Sequence, residues 1–380
     1  MRTTRDWPKL EGIITPVATM PRPYRPYWPV SCPHSAHHAD PRAGARTQPR
    51  RLLLRIAVWL LPVMITLALV PLGCAGGVSP TQLAPPTGAP QPGIEECGTL
   101  KLPSEWQPEG GGSPLNGTAL GGLSALGWDS DAQRLYLLSD RGQLYQARLD
   151  FTAGRLSGFS LLATLPLKSA DGQPLEDDAA DAESLIVEDG ANGVAGDATL
   201  LVGFERQHRL QRFTPDGQPV GQPMRPTGFE GADFNAGAEA LAIDRREGLV
   251  VGLEGPPEGM PAGITRLFAP ASGRQWRYTL APEAGSGLTA LEGNGDTLLA
   301  LERAFAPPAP LVISLRRVRL TDSGEAEVET LARLSSGEGW RLDNFEGLTR
   351  LDDGRFLMVS DDNFIALQTT LLSCFSLPSD

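Results

Sequence analysis

Histidine and lysine are scarce in the part of this chain that can fold. Three of the four histidines lie within the first fifty residues, so only His208 remains beyond them. A histidine-rich zinc site is thereby excluded, and a Ser-His-Asp triad would depend on His208, which lies in a strand-like run without a nucleophile elbow. After residue 74 the only lysines are Lys101 and Lys168, which argues against a pocket for a highly charged anion.

The first 74 residues resemble a targeting region rather than part of a core. Residues 1–50 are rich in Pro, Arg and His and lack apolar periodicity, which predicts a disordered extension or a start codon placed too far upstream. Residues 51–74 contain an acid-free apolar run and end on Cys74, the pattern of an export signal with a lipobox-like end. A membrane anchor is the alternative. The sequence thus predicts an exported protein, lipid-anchored, periplasmic or extracellular, that meets a membrane only through this segment.

Composition and charge divide the remainder. Residues 75–96 are dense in Pro and Gly and are predicted to be a tether, so the folded domain is expected at 97–380. Removing the ten basic and three acidic residues of 1–73 from the totals of 33 and 45 leaves 23 basic and 42 acidic residues, a formal net charge of −19. This charge excludes nucleic acid as a partner and suits cation binding, although a solvated acidic surface is the commoner explanation.

Cysteine is limited to two residues within the predicted domain. Cys97 and Cys374 lie at its two ends, and an exported protein meets an oxidising compartment. A disulfide between the termini is one interpretation, and two unrelated buried thiols are the other.

A hairpin recurs five times along the domain. The repeats are GGLSALGWDSDAQRLYLLSDRG (121–142), AESLIVEDGANGVAGDATLLVGFERQ (182–207), AEALAIDRREGLVVGLEG (238–255), SGLTALEGNGDTLLALER (286–303) and FEGLTRLDDGRFLMVSDDN (345–363). Each alternates apolar and other residues, turns on Asp, Gly or Asn, and runs through a second apolar strand to an acid. Further strand candidates follow most repeats. Helix signals are nearly absent, and 43 Gly and 34 Pro are typical of strand and turn.

The repeats predict an all-β fold, a β-propeller with five blades. The alternative is six blades, with the sixth in the irregular stretch 217–237. The last repeat lacks an outer strand, which CGTLKL (97–102) can supply, closing the ring from the N-terminus. Closure would place Cys97 beside Cys374 and favours the disulfide.

Acidic residues recur at both ends of these hairpins. Glu183, Glu239 and Glu346 stand two residues before the first Leu of their repeats, where the other two repeats carry Gly121 and Ser286. The second strands end on Asp140, Glu205, Glu254, Glu302 and Asp361, the last followed by Asp362 and Asn363. Because the two strands are antiparallel, both sets meet at one end of each blade. The pattern predicts a ring of oxygen ligands at one mouth, and such ligands select hard cations, Ca²⁺ first.

Arginine follows two of these acids. Arg206 and Arg303 can compensate the acidic charge or hold an anionic substrate. Strand-end acids that merely cap turns and pair with arginine are the alternative explanation. The recurrence of Glu favours a functional cluster, because turn chemistry selects Asp, Asn and Gly.

The chain resembles the bacterial family called "esterase-like activity of phytase" over about 121–377. The most specific segments are GGLSAL with LLSDRG (121–142), GFERQHRLQRF (203–213), NAGAEALA (235–242) and NFEGLTRLDDGRFLMVSDDNF (344–364). The resemblance implies a propeller whose recurring acids act on phosphate esters with calcium.

The predicted function is a Ca²⁺-dependent hydrolase of small phosphorylated or other anionic esters, acting as a monomer. The expected metal ligands are Glu183, Glu239, Glu254, Glu346, Asp140, Asp361, Asp362 and Asn363. The expected catalytic residues are Glu205, Arg206, Glu302 and Arg303. The alternatives are a non-catalytic binding propeller that Ca²⁺ stabilises, and a propeller lactonase; fold likeness does not separate the three.

Overall fold

The computed structural model describes residues 77–85, 93–104, 120–365 and 367–378. Within these ranges the chain forms 21 β-strands and three 3₁₀ turns, Asp177–Ala179, Thr227–Phe229 and Ser336–Glu338. The predicted all-β class is confirmed. No helix among the described residues is long and apolar enough to cross a bilayer. The extension 1–50 and the apolar segment 51–74 lie outside the described residues.

The strands form five antiparallel sheets. The first two, β1 (Ser79–Thr81) and β2 (Glu95–Lys101), belong to the last sheet. Blade 1 consists of β3 (Leu123–Asp129), β4 (Arg134–Ser139), β5 (Gln143–Thr152) and β6 (Arg155–Pro166). Blade 2 consists of β7 (Ala182–Glu188), β8 (Thr199–Phe204), β9 (Arg209–Phe213) and β10 (Pro219–Met224). Blade 3 consists of β11 (Ala238–Asp244), β12 (Gly248–Leu253), β13 (Ile264–Phe268) and β14 (Gln275–Thr279).

The last two blades complete the ring. Blade 4 consists of β15 (Ser286–Asn294), β16 (Thr297–Ala304), β17 (Val312–Leu320) and β18 (Ala326–Ser335). Blade 5 contains β19 (Asn344–Arg350), β20 (Phe356–Asp361) and β21 (Leu371–Ser376), followed in the sheet by β2 and β1. The innermost strands pack in the order β3, β7, β11, β15, β19 and back to β3. The protein is therefore a five-bladed β-propeller. We call the end of the ring at which the innermost strands begin the mouth.

The core lies between the blades. Five buried clusters each join two neighbouring blades, and the cluster that joins blade 5 to blade 1 includes Leu123 and Leu126 against Leu357 and Val359. Alternation along each strand supplies these residues, because successive side chains point to opposite faces of the sheet and both faces are covered by a neighbouring blade. Burial on both faces makes the ring self-supporting and fixes the innermost strands around the centre.

The stretch 217–237 contributes no sixth blade. It contains β10, the outer strand of blade 2, and the 3₁₀ turn Thr227–Phe229. Its irregular composition belongs to the connection that leads to blade 3.

The N-terminal strand closes the ring as the sequence predicts. Strand β2 pairs antiparallel with β21, joining the first strand of the domain to the last. Residues 79–81, which the Pro- and Gly-rich composition assigned to a tether, add a fifth strand by pairing with β2. Leu83 explains this difference, because its side chain is 2% exposed in the core between blades 4 and 5. Leu83, together with Ile94 of the same cluster, thus anchors a segment whose composition otherwise favours a linker.

A disulfide joins Cys97 to Cys374, with their Cα atoms 4.9 Å apart. The pairing of β2 with β21 shifts register between Glu96 and Thr99, and this bulge leaves Cys97 and Gly98 opposite Cys374. Gly98 has φ +111°, and a Cβ atom there would lie 2.7 Å from the carbonyl oxygen of Leu156. Glycine is therefore required beside the disulfide. The predicted bond between the termini is confirmed.

Replacing both cysteines by serine is expected to lower the free energy of unfolding by about 3 kcal/mol, because the bond closes a loop of 277 residues in the unfolded chain. Thermal melting of the oxidised protein and of the Cys97→Ser/Cys374→Ser variant measures this loss. Dithiothreitol should lower the melting temperature of the parent and leave the variant unchanged. Equal melting temperatures for parent and variant would contradict the stabilising role.

Candidate active site

Every innermost strand carries a β-bulge near the mouth. The register of each inner hairpin shifts by one residue there, and the extra residues are Ser124, Glu183, Glu239, Thr289 and Glu346. A bulge leaves its extra residue outside the regular pairing and redirects its side chain. The same device in all five blades therefore takes three carboxylates and two hydroxyls out of the regular pairing near the mouth.

The second strands complete the set. The residues that follow the partner of each bulge are Asp140, Glu205, Glu254, Arg303 and Asp361. All acids of the two predicted sets except Glu302 thus lie at the mouth, and blade 4 places Arg303 where the other blades place a carboxylate. This arginine lies among seven acids of the two sets.

The register corrects the sequence alignment of blades 1 and 4. Leu126 and Leu291, rather than Leu123 and Leu288, occupy the place of Leu185 in blade 2. Ser124 and Thr289, not Gly121 and Ser286, are then equivalent to the glutamates. The hydroxyl of Ser124 donates to the carbonyl of Ala182 (2.6 Å), and that of Thr289 donates to the carbonyl of Phe345 (3.2 Å). These two positions join neighbouring blades instead of adding charge.

Glu302 does not belong to the mouth. The same alignment error had made it equivalent to Glu205. It pairs with Leu288 one residue before the mouth position, so its side chain points to the opposite face from Arg303. Its carboxylate, 1% exposed, accepts from Tyr278 Oη (2.5 Å), the Ala281 amide (2.6 Å) and Arg316 (2.7 Å). Glu302 joins blade 4 to blade 3, and its carboxylate is engaged by these three buried donors.

Three carboxylates converge on blade 2. One oxygen each of Asp181, Glu183 and Glu205 lie within 4.8 Å of one another, a spacing that could hold a metal ion. Asp181 is 4% exposed, and its Oδ2 lies 2.9 Å from Nε of Arg206. The repeats did not reveal Asp181 because only blade 2 carries an acid two residues before its bulge. The acidic run EDDAADAE (176–183) was the available signal.

Arg303 lies on the opposite side of the mouth from this triad. Its guanidinium lies 2.8 Å from Oε1 of Glu254 and 3.0 Å from Oε1 of Glu346, and it also donates to Oδ1 of Asn344. The amide of Asn344 donates to the same oxygen of Glu346 (2.8 Å). Arg303 therefore compensates two of the predicted ligands, Glu254 and Glu346, and leaves the triad of blade 2 with Arg206 as its nearby cation.

Blades 5 and 1 meet through Asp362. Its carboxylate accepts from the amides of Gly122 and Phe364, both at 3.1 Å, and from the hydroxyl of Thr370. Gly122 has φ +62°, and a Cβ atom there would lie 2.4 Å from Asp140. Asp362 therefore positions this loop. The absence of a Cβ atom at Gly122 lets the carboxylate of Asp140 lie close to the backbone there.

Asp361 and Asn363 lie in the same loop. Asp361 is 5% exposed and accepts the amide of Asn363 (2.8 Å), and burial raises its pKa to about 6. Asn363 is exposed with φ +47°, which marks a turn position. Of the three consecutive predicted ligands, Asp361 is the one that neighbours Glu346 electrostatically.

Burial raises the pKa of most carboxyls in the cluster. For Glu183 and Glu239 the pKa lies well above its ordinary value, because desolvation and neighbouring acids both disfavour ionisation. The same causes raise the pKa of Glu205 to about 7. Burial raises that of Glu346 to about 8, although Arg303 favours its ionised form. Several protons therefore remain in the metal-free mouth at neutral pH.

The innermost strands nearly fill the centre below the cluster. Ser124, Glu183, Glu239 and Glu346 line a cavity of about 10 Å³, together with apolar residues of the five strands. This is room for about one water molecule. The carboxylates therefore lie at one end of a ring whose centre is nearly filled, and the mouth is the side from which a ligand can approach them among the described residues.

Residues 118–364 match the family model Phytase-like, described as esterase-like activity of phytase. The match covers more than half of the 380 residues and includes every innermost strand. The chain belongs to this family. Among curated proteins, none matches the sequence. In this phytase-like propeller, the matched span also contains all the acids of the mouth.

The metal-free protein is expected to lose stability as pH rises from 5 to 8. Glu205 and Glu346 have folded-state pKa values of about 7 and about 8, so their stabilising protons are present below pH 4.5 and lost as pH passes through these values. The shift of Glu205 alone corresponds to about 3 kcal/mol. Urea unfolding between pH 5 and 8, after a chelating resin has removed bound metal ions, measures the loss in the free energy of unfolding.

A matched pair of variants identifies the source of this pH dependence. Glu205→Gln should flatten the slope, whereas Glu325→Gln, at an exposed position paired with Arg277, should preserve it. Stability that stays level or increases from pH 5 to 8 would show that the buried carboxyls are ionised at no cost.

Proposed function

We propose that this phytase-like propeller is a Ca²⁺-dependent hydrolase of phosphate esters. The observation that carries the proposal is the convergence of Asp181, Glu183 and Glu205, whose oxygens lie within 4.8 Å of one another in a buried, acid-rich mouth. The donor set is all carboxylate, which suits a hard cation of flexible coordination. Like charges at this spacing need protons or a cation, and a divalent ion replaces the protons that burial retains.

The ion would be held by Asp181, Glu183 and Glu205. When bound, Ca²⁺ supplies a Lewis acid that polarises a phosphoryl oxygen and lowers the pKa of water. Arg206, with its side chain 38% exposed and its Nε oriented by Asp181, positions the anionic phosphoryl group at the rim.

Glu239 holds a proton for the leaving oxygen. It forms a side-chain hydrogen bond with Glu205, and its pKa lies well above the ordinary value because it is buried among acids. A carboxyl kept protonated at neutral pH is a general acid. Arg303 orients Glu254 and Glu346 and offsets their charge.

A substrate panel assayed with the full chain tests this proposal. The panel comprises 4-nitrophenyl phosphate, bis(4-nitrophenyl) phosphate, phytate and a lactone, each with EGTA and with added Ca²⁺. We expect hydrolysis of a phosphate ester that EGTA abolishes and Ca²⁺ restores better than Mg²⁺, which demands tighter octahedral geometry. Hydrolysis of the lactone alone would assign a lactonase. Stabilisation by Ca²⁺ without hydrolysis would assign a binding propeller.

We also propose that the protein is exported. The disulfide between Cys97 and Cys374 suits an oxidising compartment, and the apolar run of 51–74 ends on a lipobox-like Cys74. Metabolic labelling with palmitate should mark the parent and not a Cys74→Ser variant. Recovery of the full-length, unlabelled protein from the cytoplasm would contradict export.

A further inference from the structure

Exposed apolar side chains border the acidic mouth. The two strongly exposed phenylalanines of the described chain, Phe234 (55%) and Phe305 (60%), both lie in loops at this end. Ile365 and Leu367 follow the end of β20 and are also exposed. Isolated surface hydrophobics need no explanation, but a set around one opening indicates a binding surface.

Phe234 is linked to the metal triad through adjacent side chains. It precedes Asn235, whose Oδ1 lies 3.5 Å from Nε of Arg206, and the same Nε lies 2.9 Å from Asp181. The loop also crosses closely over blade 2, since a Cβ atom on Gly237 would lie 2.9 Å from Cα of Glu205. The loop that carries Phe234 is therefore held against blade 2 beside Glu205 and Arg206.

Phe305 and Phe364 border the other sides. Phe305 follows Arg303 by two residues, and its amide donates to the carbonyl of Gly285 (3.3 Å), which fixes the backbone at the mouth. The ring of Phe364 covers Gly122, and the guanidinium of Arg141 stacks on it at 3.6 Å. Aromatic groups from three blades thus surround the cluster.

The charge of the mouth limits what can enter. Three arginines, Arg141, Arg206 and Arg303, lie beside eight carboxyls, and the last two are already paired with acids. The carboxyls are those of Asp140, Asp181, Glu183, Glu205, Glu239, Glu254, Glu346 and Asp361. Neither Lys101 nor Lys168 forms an ion pair in the described residues. A single Ca²⁺ leaves the ionised cluster negative, so the repulsion of an anionic ligand grows with its charge, and an ester with one negative charge is repelled less than a polyanion.

We propose that the ligand of this mouth is a phosphodiester with one negative charge and an aryl or alkyl substituent that packs on Phe234 and Phe305. The proposal rests on the proposed function for the reaction. There, the oxygen of a water molecule bonds to phosphorus and the bond from phosphorus to the apolar alkoxide or phenoxide breaks. One proton of that water ends on the leaving oxygen, and the other stays on the phosphate monoester. The apolar product then departs from an acidic site that repels the released anion.

Turnover and binding are measured separately on the Ca²⁺-loaded full chain. We expect kcat/KM for bis(4-nitrophenyl) phosphate to exceed the values for 4-nitrophenyl phosphate and phytate at least tenfold. Calorimetric titration with diphenyl phosphate reports binding without turnover. Phe234→Ser and Phe305→Ser should each weaken both readouts about fivefold, because each removes an apolar contact. Val194→Ser, at an exposed position in the β7–β8 connection at the opposite end, is the matched control.

The outcomes separate the two proposals. Faster hydrolysis of phytate or 4-nitrophenyl phosphate overturns the ligand class and leaves the phosphate-ester hydrolase intact. Binding of diphenyl phosphate that needs both phenylalanines, without hydrolysis of any ester, supports the ligand class and overturns the enzyme. Equal binding and turnover in the parent and both serine variants overturn the role of the aromatic rim.

Discussion

Replacing Glu183 by glutamine is expected to lower Ca²⁺-dependent ester hydrolysis about 10³-fold, a change of about 4 kcal/mol in the activation free energy. Glu183 contributes one of the three converging oxygens, and its neighbours Asp181 and Glu205 cannot surround a cation alone. If Ca²⁺ binds the folded state alone, it should stabilise the parent by about 2.7 kcal/mol at a hundredfold excess over Kd, and the variant should lose most of this effect. Steady-state rates and thermal melts at several Ca²⁺ concentrations measure both changes.

The same variant distinguishes lost function from lost folding. Because the pKa of Glu183 is raised by burial and by Glu346, its carboxylate destabilises the metal-free mouth, and glutamine should raise the melting temperature in EGTA. Glu325→Gln is the control, and we expect it to change neither activity nor the response to Ca²⁺. An active Glu183→Gln enzyme with an unchanged Ca²⁺ response would show that the triad is not the metal site.

Replacing Glu302 by alanine is expected to destabilise the fold by about 4 kcal/mol. The change leaves Arg316, itself 9% exposed, without its buried carboxylate and removes the acceptor of Tyr278 and of the Ala281 amide. Loss of one partner of a buried ion pair has this magnitude because the remaining charge is uncompensated. Urea unfolding at neutral pH measures the loss.

Glu302→Gln separates a structural residue from a catalytic one. Glutamine keeps the size and an acceptor for Tyr278, so at a temperature well below melting we expect kcat/KM within about threefold of the parent. A hundredfold loss of activity in this folded variant would return Glu302 to the catalytic set, where the sequence pattern had placed it.

The fold could be predicted from the sequence because the patterns that specify it lie in short segments of the chain. Alternation of apolar residues, Gly- and Asp-rich turns and a fivefold repeat all report strand pairing, and each recurs along the chain. The closing strand and the disulfide followed from a missing outer strand and from the position of Cys97 and Cys374 at the ends of the domain. These features depend on pairing between neighbours, which a repeat makes visible.

The site was less accessible, because a β-bulge changes register without a fixed residue type. The bulges decide which residues face the axis, and their trace in the sequence is a small residue followed by Leu, as in SAL, ESL, EAL, TAL and EGL. In blade 4, alignment on the wrong Leu assigned Glu302 to the position that Arg303 occupies. In blade 1, the same error assigned Gly121 to the position of Ser124. An acid at the position of Asp181 occurs in blade 2 only, so the repeat pattern could not reveal it.

Calorimetric titration of the metal-free protein with Ca²⁺ near pH 7, in two buffers of different ionisation enthalpy, tests the central claim most directly. Since burial keeps a proton on Glu183 and raises the pKa of Glu205 to about 7, an ion bound by these carboxylates must displace protons from them. We expect saturable binding whose enthalpy differs between the buffers, and loss of binding in Glu183→Gln. Absence of binding at millimolar Ca²⁺, or binding that releases no protons and survives in Glu183→Gln, would contradict a metal site at the mouth.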